Sequence, residues 1–102
     1  MKKIFLCCSA GMSTSMLVNK MKAAAAEQGI EADIIAVSLA DFDDTIKEYD
    51  VCLLGPQVKF RHEGLSAQAA EYGKKVGVID SMAYGMMKGD KVLEQALALL
   101  ED

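Results

Sequence analysis

The stretch that decides the fold is Ile4-Phe5-Leu6-Cys7-Cys8-Ser9-Ala10-Gly11-Met12-Ser13-Thr14-Ser15. Ile4 to Cys7 is an apolar run of strand length, the next residues are small and loop-like, and a helix-like run follows from about Ser13 to Gln28. A strand that ends on a thiol and turns into a helix N-terminus builds an anion site with a nucleophile inside it. Small side chains and Gly11 let several backbone N–H groups converge, and the helix dipole adds positive potential at the same point. A dianionic phosphoryl group fits such a cradle, and the same field favours thiolate over thiol at Cys8.

Working outward, strand-like and helix-like runs alternate four times. After a strand expected over 3–7, the first helix carries Leu17, Met21, Ala24 and Ala25 at amphipathic spacing, and Gly29 suits its left-handed cap. A second strand is expected over 31–37. Ser38 then reads as the N-cap of a short helix with Asp41 in its first turn and Leu39, Phe42 and Ile46 on one face. Val51-Cys52-Leu53-Leu54 is a continuous apolar run of the kind a buried parallel strand shows. Gly55-Pro56-Gln57 ends it, because Pro56 cannot continue a central ladder. A third helix is expected over 60–72, ended by Gly73, and a fourth strand over 76–79. After Asp80 to Gly85 comes a last helix from about Asp90, with Val92, Leu93, Ala96, Leu97 and Leu100 facing inward.

Such alternation implies an α/β fold with a parallel sheet covered on both faces. Ligands of these sheets sit beyond the carboxyl ends of the strands, at a switch in strand order. Three loops reach that edge: Cys8 to Ser15, Gly55 to Gln57, and Asp80 to Gly85. One site built from the three is the economical expectation.

Size and composition agree. The 102 residues suffice for one domain, 1–102, and 52% are apolar, so a core can form. Eleven basic against 15 acidic residues leave a charge of −4, which speaks against nucleic acid as the main partner. Cys7, Cys8 and Cys52 are odd in number and two are adjacent, so they do not read as a disulfide framework. One histidine, His62, and no Cys-x-x-Cys spacing give no metal site, and no cofactor is implied. Met1-Lys2-Lys3 and the apolar run after it imitate a signal peptide, but that run breaks at a polar loop and falls far short of the ~20 residues of a spanning helix. A soluble cytoplasmic protein is expected.

Among the candidate residues, Cys8 is the last strand residue before a loop aimed at solvent, whereas Cys7 points to the other face of the pleat and Cys52 lies inside a strand. The latter two read as core. Ser9, Ser13, Thr14 and Ser15 suit both helix capping and phosphoryl oxygens. Asp80 and Tyr84 support the site or merely cap and cover. His62, between Arg61 and Glu63, reads as part of a solvated face. Met16 on the first helix reads as core, and Met12 with Met82 to Met87 as an apolar rim for a protein partner.

Cys8-Ser9-Ala10-Gly11-Met12-Ser13-Thr14-Ser15, then Leu53-Leu54-Gly55-Pro56-Gln57, then Val78-Ile79-Asp80-Ser81 and Tyr84-Gly85 resemble the IIB component, lactose/cellobiose class, of the bacterial sugar phosphotransferase system. The resemblance spans the chain in length and motif order. It implies that Cys8 becomes a phosphocysteine, with Ser9, Ala10, Gly11, Met12, Ser13, Thr14 and Ser15 as its cradle and Pro56, Gln57, Asp80 and Tyr84 as supporting or partner-facing residues. The implied partners are a phosphohistidine-carrying IIA protein and a membrane IIC transporter holding a β-linked disaccharide such as cellobiose. The implied fold is a three-layer sandwich around a four-stranded parallel sheet of order 2-1-3-4, similar to low-molecular-weight tyrosine phosphatases.

Those phosphatases carry an arginine six residues after the cysteine, where this chain has Thr14, and no arginine occurs before Arg61. Without a guanidinium to grip the transferring group, water attack is less assisted and a phosphocysteine persists. Three rivals stand beside the carrier reading. They are a phosphatase or arsenate-reductase-like enzyme, a flavin- or nucleotide-phosphate binding module, and a thiol redox protein using Cys7 and Cys8, whose adjacent pair makes a strained ring.

Overall fold

A computed structural model of the chain describes residues 2–8 and 11–101, with only the backbone described for 11–13. The elements run β1 (Lys2–Cys8), α1 (Gly11–Gln28), β2 (Ala32–Ser38), a 3-10 turn (Leu39–Asp41), α2 (Phe42–Glu48), β3 (Val51–Leu54), a 3-10 segment (Pro56–Arg61), α3 (His62–Ala70), β4 (Lys75–Val78), α4 (Ser81–Gly85) and α5 (Gly89–Glu101). The four strands form one parallel sheet of order β2-β1-β3-β4. The α/β fold and the strand order expected above are therefore present.

The pleat explains the layers. Ile4, Leu6, Val51 and Leu53 point to one face and pack with Leu17, Val18 and Met21 of α1 and Val92, Leu93 and Ala96 of α5. Phe5, Cys7, Cys52 and Leu54, one residue out of phase, point to the other and pack with Phe42 and Ile46 of α2 and Leu65 and Ala69 of α3. Each central strand is thus buried on both sides, which is why Val51 to Leu54 read as one apolar run. Burying a large apolar side chain of this kind contributes roughly 1.5–3 kcal/mol, and the sheet residues on both faces do so together. Gly29 ends α1 at φ +70, with the Ile30 N–H donating to the Ala25 carbonyl at 2.8 Å, the cap expected of it.

Several expectations need correction. The chain has five α-helices among the described residues, because Ser81–Gly85 closes into α4 on an Asp80 cap. Pro56 starts a 3-10 segment rather than an open loop: a proline blocks a strand but fits the first position of a helical turn. That segment takes Phe60 out of α3, which begins at His62, and leaves Phe60 77% exposed. Ser38 precedes a 3-10 turn and makes no backbone cap; its hydroxyl donates to the Asp41 carboxylate instead. Met16 is exposed, not core, since the inward stripe of α1 runs through Leu17, Val18 and Met21. His62 is half-buried, with Nε2 2.8 Å from the Val76 carbonyl oxygen, so it pins α3 to β4 rather than facing solvent.

Candidate phosphoryl site

The chain steps from β1 to β2 on one side and later to β3 on the other, so the switch in strand order lies between β1 and β3. Cys8 ends β1 there, and Gly55 directly follows β3. The ladder carries on past both strands, with the Gly55 N–H donating to the Cys7 carbonyl at 3.0 Å. A Cβ on Gly55 would stand 3.1 Å from Cys8 Cβ and 2.6 Å from Gln57 Oε1, so glycine lets Gln57 and Cys8 keep these places.

Gln57 folds back over Gly55 and its Nε2 donates to the Tyr84 hydroxyl at 3.1 Å. Tyr84, 9% exposed, roots its ring in the α1/α5 core and turns only its polar tip to Gln57. Asp80 holds this loop in shape: its carboxylate accepts from the Ala83 N–H at 3.0 Å, capping α4. Its own N–H donates to Gln95 Oε1 at 3.4 Å, while Gln95 Nε2 donates to the Val78 carbonyl. Asp80 is thus a cap, the plainer of its two roles. Pro56 is the first residue of the 3-10 segment that carries Gln57. Of the three expected loops, the described Cys8, Gly55, Gln57 and Tyr84 come together at one sheet edge, while Ser9 and Ala10 lie outside the described residues.

α1, eighteen residues long with no acidic residue in its first turn, starts three residues after Cys8. The N–H groups of that first turn have no acceptors within the helix, and its dipole is positive there. Thr14 Oγ1 lies 2.6 Å from Cys8 Sγ, and both residues are buried. Cys8 is only 2% exposed, which corrects the expectation of a thiol open to solvent. The Thr14 hydroxyl lies against its sulfur and Gly55 beside its Cβ, and neither neighbour can be read from the local sequence of β1. Ser15 is exposed on α1. Ser9 and Ala10 lie outside the described residues, as do the side chains of Gly11, Met12 and Ser13.

Cys7 and Cys52 lie together in the opposite core, each fully buried. Burial, with the Cys7 thiol beside it, pushes the Cys52 thiol well above the usual range, so it stays protonated. Sequence reasoning missed one structural partner of the site, Gln95, whose amide lies fifteen residues beyond the loop it anchors. Met82 and Met86 of the stretch expected to form a rim are exposed, and so are Met16 of α1 and Phe60 of the 3-10 segment. Met87 is instead half-buried against the α1/α5 core. Among the described residues no cluster of ligating side chains could hold a metal, and no helix is long and apolar enough to cross a membrane.

Comparison with known proteins agrees with this architecture. The family described as "PTS system, Lactose/Cellobiose specific IIB subunit" matches residues 3–95. The chain is 49% identical to the oligo-beta-mannoside-specific EIIB component of Bacillus subtilis (strain 168), over 98% of this chain and 97% of that one. It is 47% identical to the galactose-specific EIIB component of Lactococcus lactis subsp. cremoris (strain MG1363), over 97% and 96%. The solution structure of a cellobiose-specific IIB component from Borrelia burgdorferi superimposes with a TM-score of 0.81 at 35% identity, covering 98% of this chain and 92% of that one. The chain therefore belongs to the lactose/cellobiose-specific IIB subunits of the sugar phosphotransferase system.

Proposed function

We propose that this IIB subunit is a cytoplasmic phosphocarrier in which Cys8 accepts a phosphoryl group from a phosphohistidine of a IIA protein and passes it to a β-linked disaccharide held by a membrane IIC transporter. The observation that carries the reading is the position of Cys8, at the carboxyl end of β1, at the strand-order switch, and against the first turn of an eighteen-residue helix. In the first step the sulfur attacks phosphorus in line and the imidazole nitrogen departs. N–H groups from about Ala10 to Ser15 hold the phosphoryl oxygens. In the second, a sugar hydroxyl attacks and the sulfur departs, the hydroxyl proton passing to a base on the transporter.

The chain's one arginine, Arg61, is on the 3-10 segment, not in the first turn of α1. No arginine stands six residues after the cysteine to supply the bidentate grip of a phosphatase, which supports the carrier over the phosphatase reading. Because Cys8 is covered, docking of a partner has to open a path to the sulfur. The exposed Met82, Met86, Met16 and Phe60 offer apolar surface for that docking. Relatives named for oligo-beta-mannoside and for galactose match at nearly equal identity, which supports a reading in which the transporter rather than this subunit selects the sugar.

The test is intact mass after incubation with phosphorylated IIA, followed by mapping of the added phosphate. Cys8→Ser abolishes transfer to sulfur, whereas Cys7→Ser and Cys52→Ser keep most of it. A dead Cys7→Ser beside an active Cys8→Ser would overturn the assignment.

A further inference from the structure

Thr14 is the one buried polar side chain among the described residues, at 0% exposure. A hydroxyl removed from water is costly unless it is hydrogen-bonded, and valine would fill the same space at no such cost. Its partner is the Cys8 sulfur, 2.6 Å away. A thiol and a hydroxyl can each donate, but a thiolate can only accept, so in the charged state the hydroxyl is the donor. We infer that Thr14 is a positioning residue that donates to the Cys8 sulfur whenever it carries negative charge, before it attacks and again as it leaves. This rests on the phosphocarrier reading of Cys8, and it assigns the hydroxyl to the sulfur rather than to the phosphoryl oxygens.

The charge bookkeeping shows why such a donor serves both directions. On loading, a sulfur lone pair forms the S–P bond, the P–N bond of phosphohistidine breaks, and the nitrogen keeps the electron pair. On unloading, an acceptor lone pair forms the new bond to phosphorus, the S–P bond breaks, and the sulfur keeps the pair as thiolate. One O–H placed beside the sulfur raises the share of thiolate over thiol available for the first step and stabilises the departing group of the second. It stabilises the thiolate before attack and orients its lone pair, and it eases departure by the same bond.

The experiment uses the full chain with Thr14→Val, Thr14→Ala and Thr14→Ser, and IIA as both donor and acceptor. Phosphorylated IIA loads the protein, and unphosphorylated IIA then unloads it, so that the sulfur departs without any sugar. Loss of a hydrogen bond to a charged sulfur is expected to slow unloading by about 10- to 100-fold in Thr14→Val and Thr14→Ala. Loading slows as well, and Thr14→Ser restores most of both rates; Thr14→Val, which fills the space of the buried threonine, separates loss of the hydroxyl from loss of packing, and the rates are taken below the melting transition of each variant. The 31P resonance of the phosphocysteine provides a second readout, moving least in Thr14→Ser. Unloading at wild-type rate in both hydroxyl-free variants, or a serine variant as slow as valine, overturns the inference.

If the wild-type protein takes up no phosphate, it is the carrier reading that fails. The role of Thr14 is then read from iodoacetamide alkylation of Cys8, followed by mass. Slower alkylation in the hydroxyl-free variants, restored by serine, upholds it, and equal rates overturn it.

Discussion

Adding one methyl group at Gly55 separates stability from transfer. Gly55 has φ −61 and ψ 149, an extended conformation open to alanine, so Gly55→Ala strains no backbone. It lowers the entropy of the unfolded chain, which stabilises by about 0.4–1 kcal/mol. The new Cβ meets Gln57 Oε1 at 2.6 Å and Cys8 Cβ at 3.1 Å. The first contact is relieved by swinging out the Gln57 side chain, which gives up the bond to Tyr84, worth about 0.5–1.5 kcal/mol. The two terms nearly cancel, so urea unfolding should shift by less than about 1 kcal/mol. The second contact cannot swing away, since Cys8 Cβ belongs to a central strand, and it moves the thiol by a few tenths of an ångström. Misplacement by about 1 Å costs on the order of a hundredfold in positioned chemistry, so loading by phosphorylated IIA should fall roughly tenfold. Rapid-quench intact mass measures that rate. Loading at the wild-type rate with unchanged stability would refute the claim that Gly55 sets the place of the sulfur.

The same change at Gly89 should behave oppositely. There the Cβ meets backbone, the Lys20 carbonyl carbon and, at 2.6 Å, the Met21 nitrogen, so α5 must move off α1. Gly89→Ala is expected to destabilise by about 1–3 kcal/mol in urea while the loading rate of the folded fraction holds. His62→Ala removes the bond to the Val76 carbonyl and should cost about 1 kcal/mol with no change in loading. Tyr49 donates to the Asp33 carboxylate at 3.0 Å, with Lys3 facing its ring. Burial first, then the carboxylate, raise its phenol above the ordinary 10.0. The folded chain therefore holds this proton longer than the unfolded one, and the contribution is complete below pH 10 and lost as pH climbs through the folded value. Tyr49→Phe should lose less stability than the wild type between neutral pH and pH 11, followed by urea midpoints. An identical alkaline decline in both proteins would show that Tyr49 plays no part.

Much of this was legible in the chain because the burial pattern is simple. Ile4-Phe5-Leu6-Cys7 and Val51 to Leu54 are apolar on both pleat faces, which leaves a central parallel strand as their only economical use. The three loops at the carboxyl edge follow from that alternation, and so does the placing of Cys8 at the head of α1. What stayed hidden depends on residues distant in sequence or on turns too short to show a period. Five residues of α4 cannot display helical periodicity, and its Asp80 cap reads equally as a loop residue. Pro56 was informative about where β3 stops and silent about the 3-10 segment it begins. The closeness of Cys8 to Gly55 joins residues forty-seven positions apart, and the pairing of Gln57 with Tyr84 crosses two elements. No local reading of β1 contains either.

Cys7 and Cys8 are chemically the same group on adjacent residues, and the sheet alone tells them apart. Parity along β1 sends one sulfur down among Phe42, Leu65 and Cys52 and the other up toward Thr14. Which of the two stands as the proposed nucleophile is thus set by the spacing of the strand against its neighbours, not by any feature of the thiol. A one-residue slip of β1 would exchange the two, installing Cys7 at the helix and sinking Cys8 into the aromatic side. The ladder from Lys2 to Cys8 against β2 and from Ile4 to Cys7 against β3 is therefore part of the chemistry, acting as the frame that counts residues.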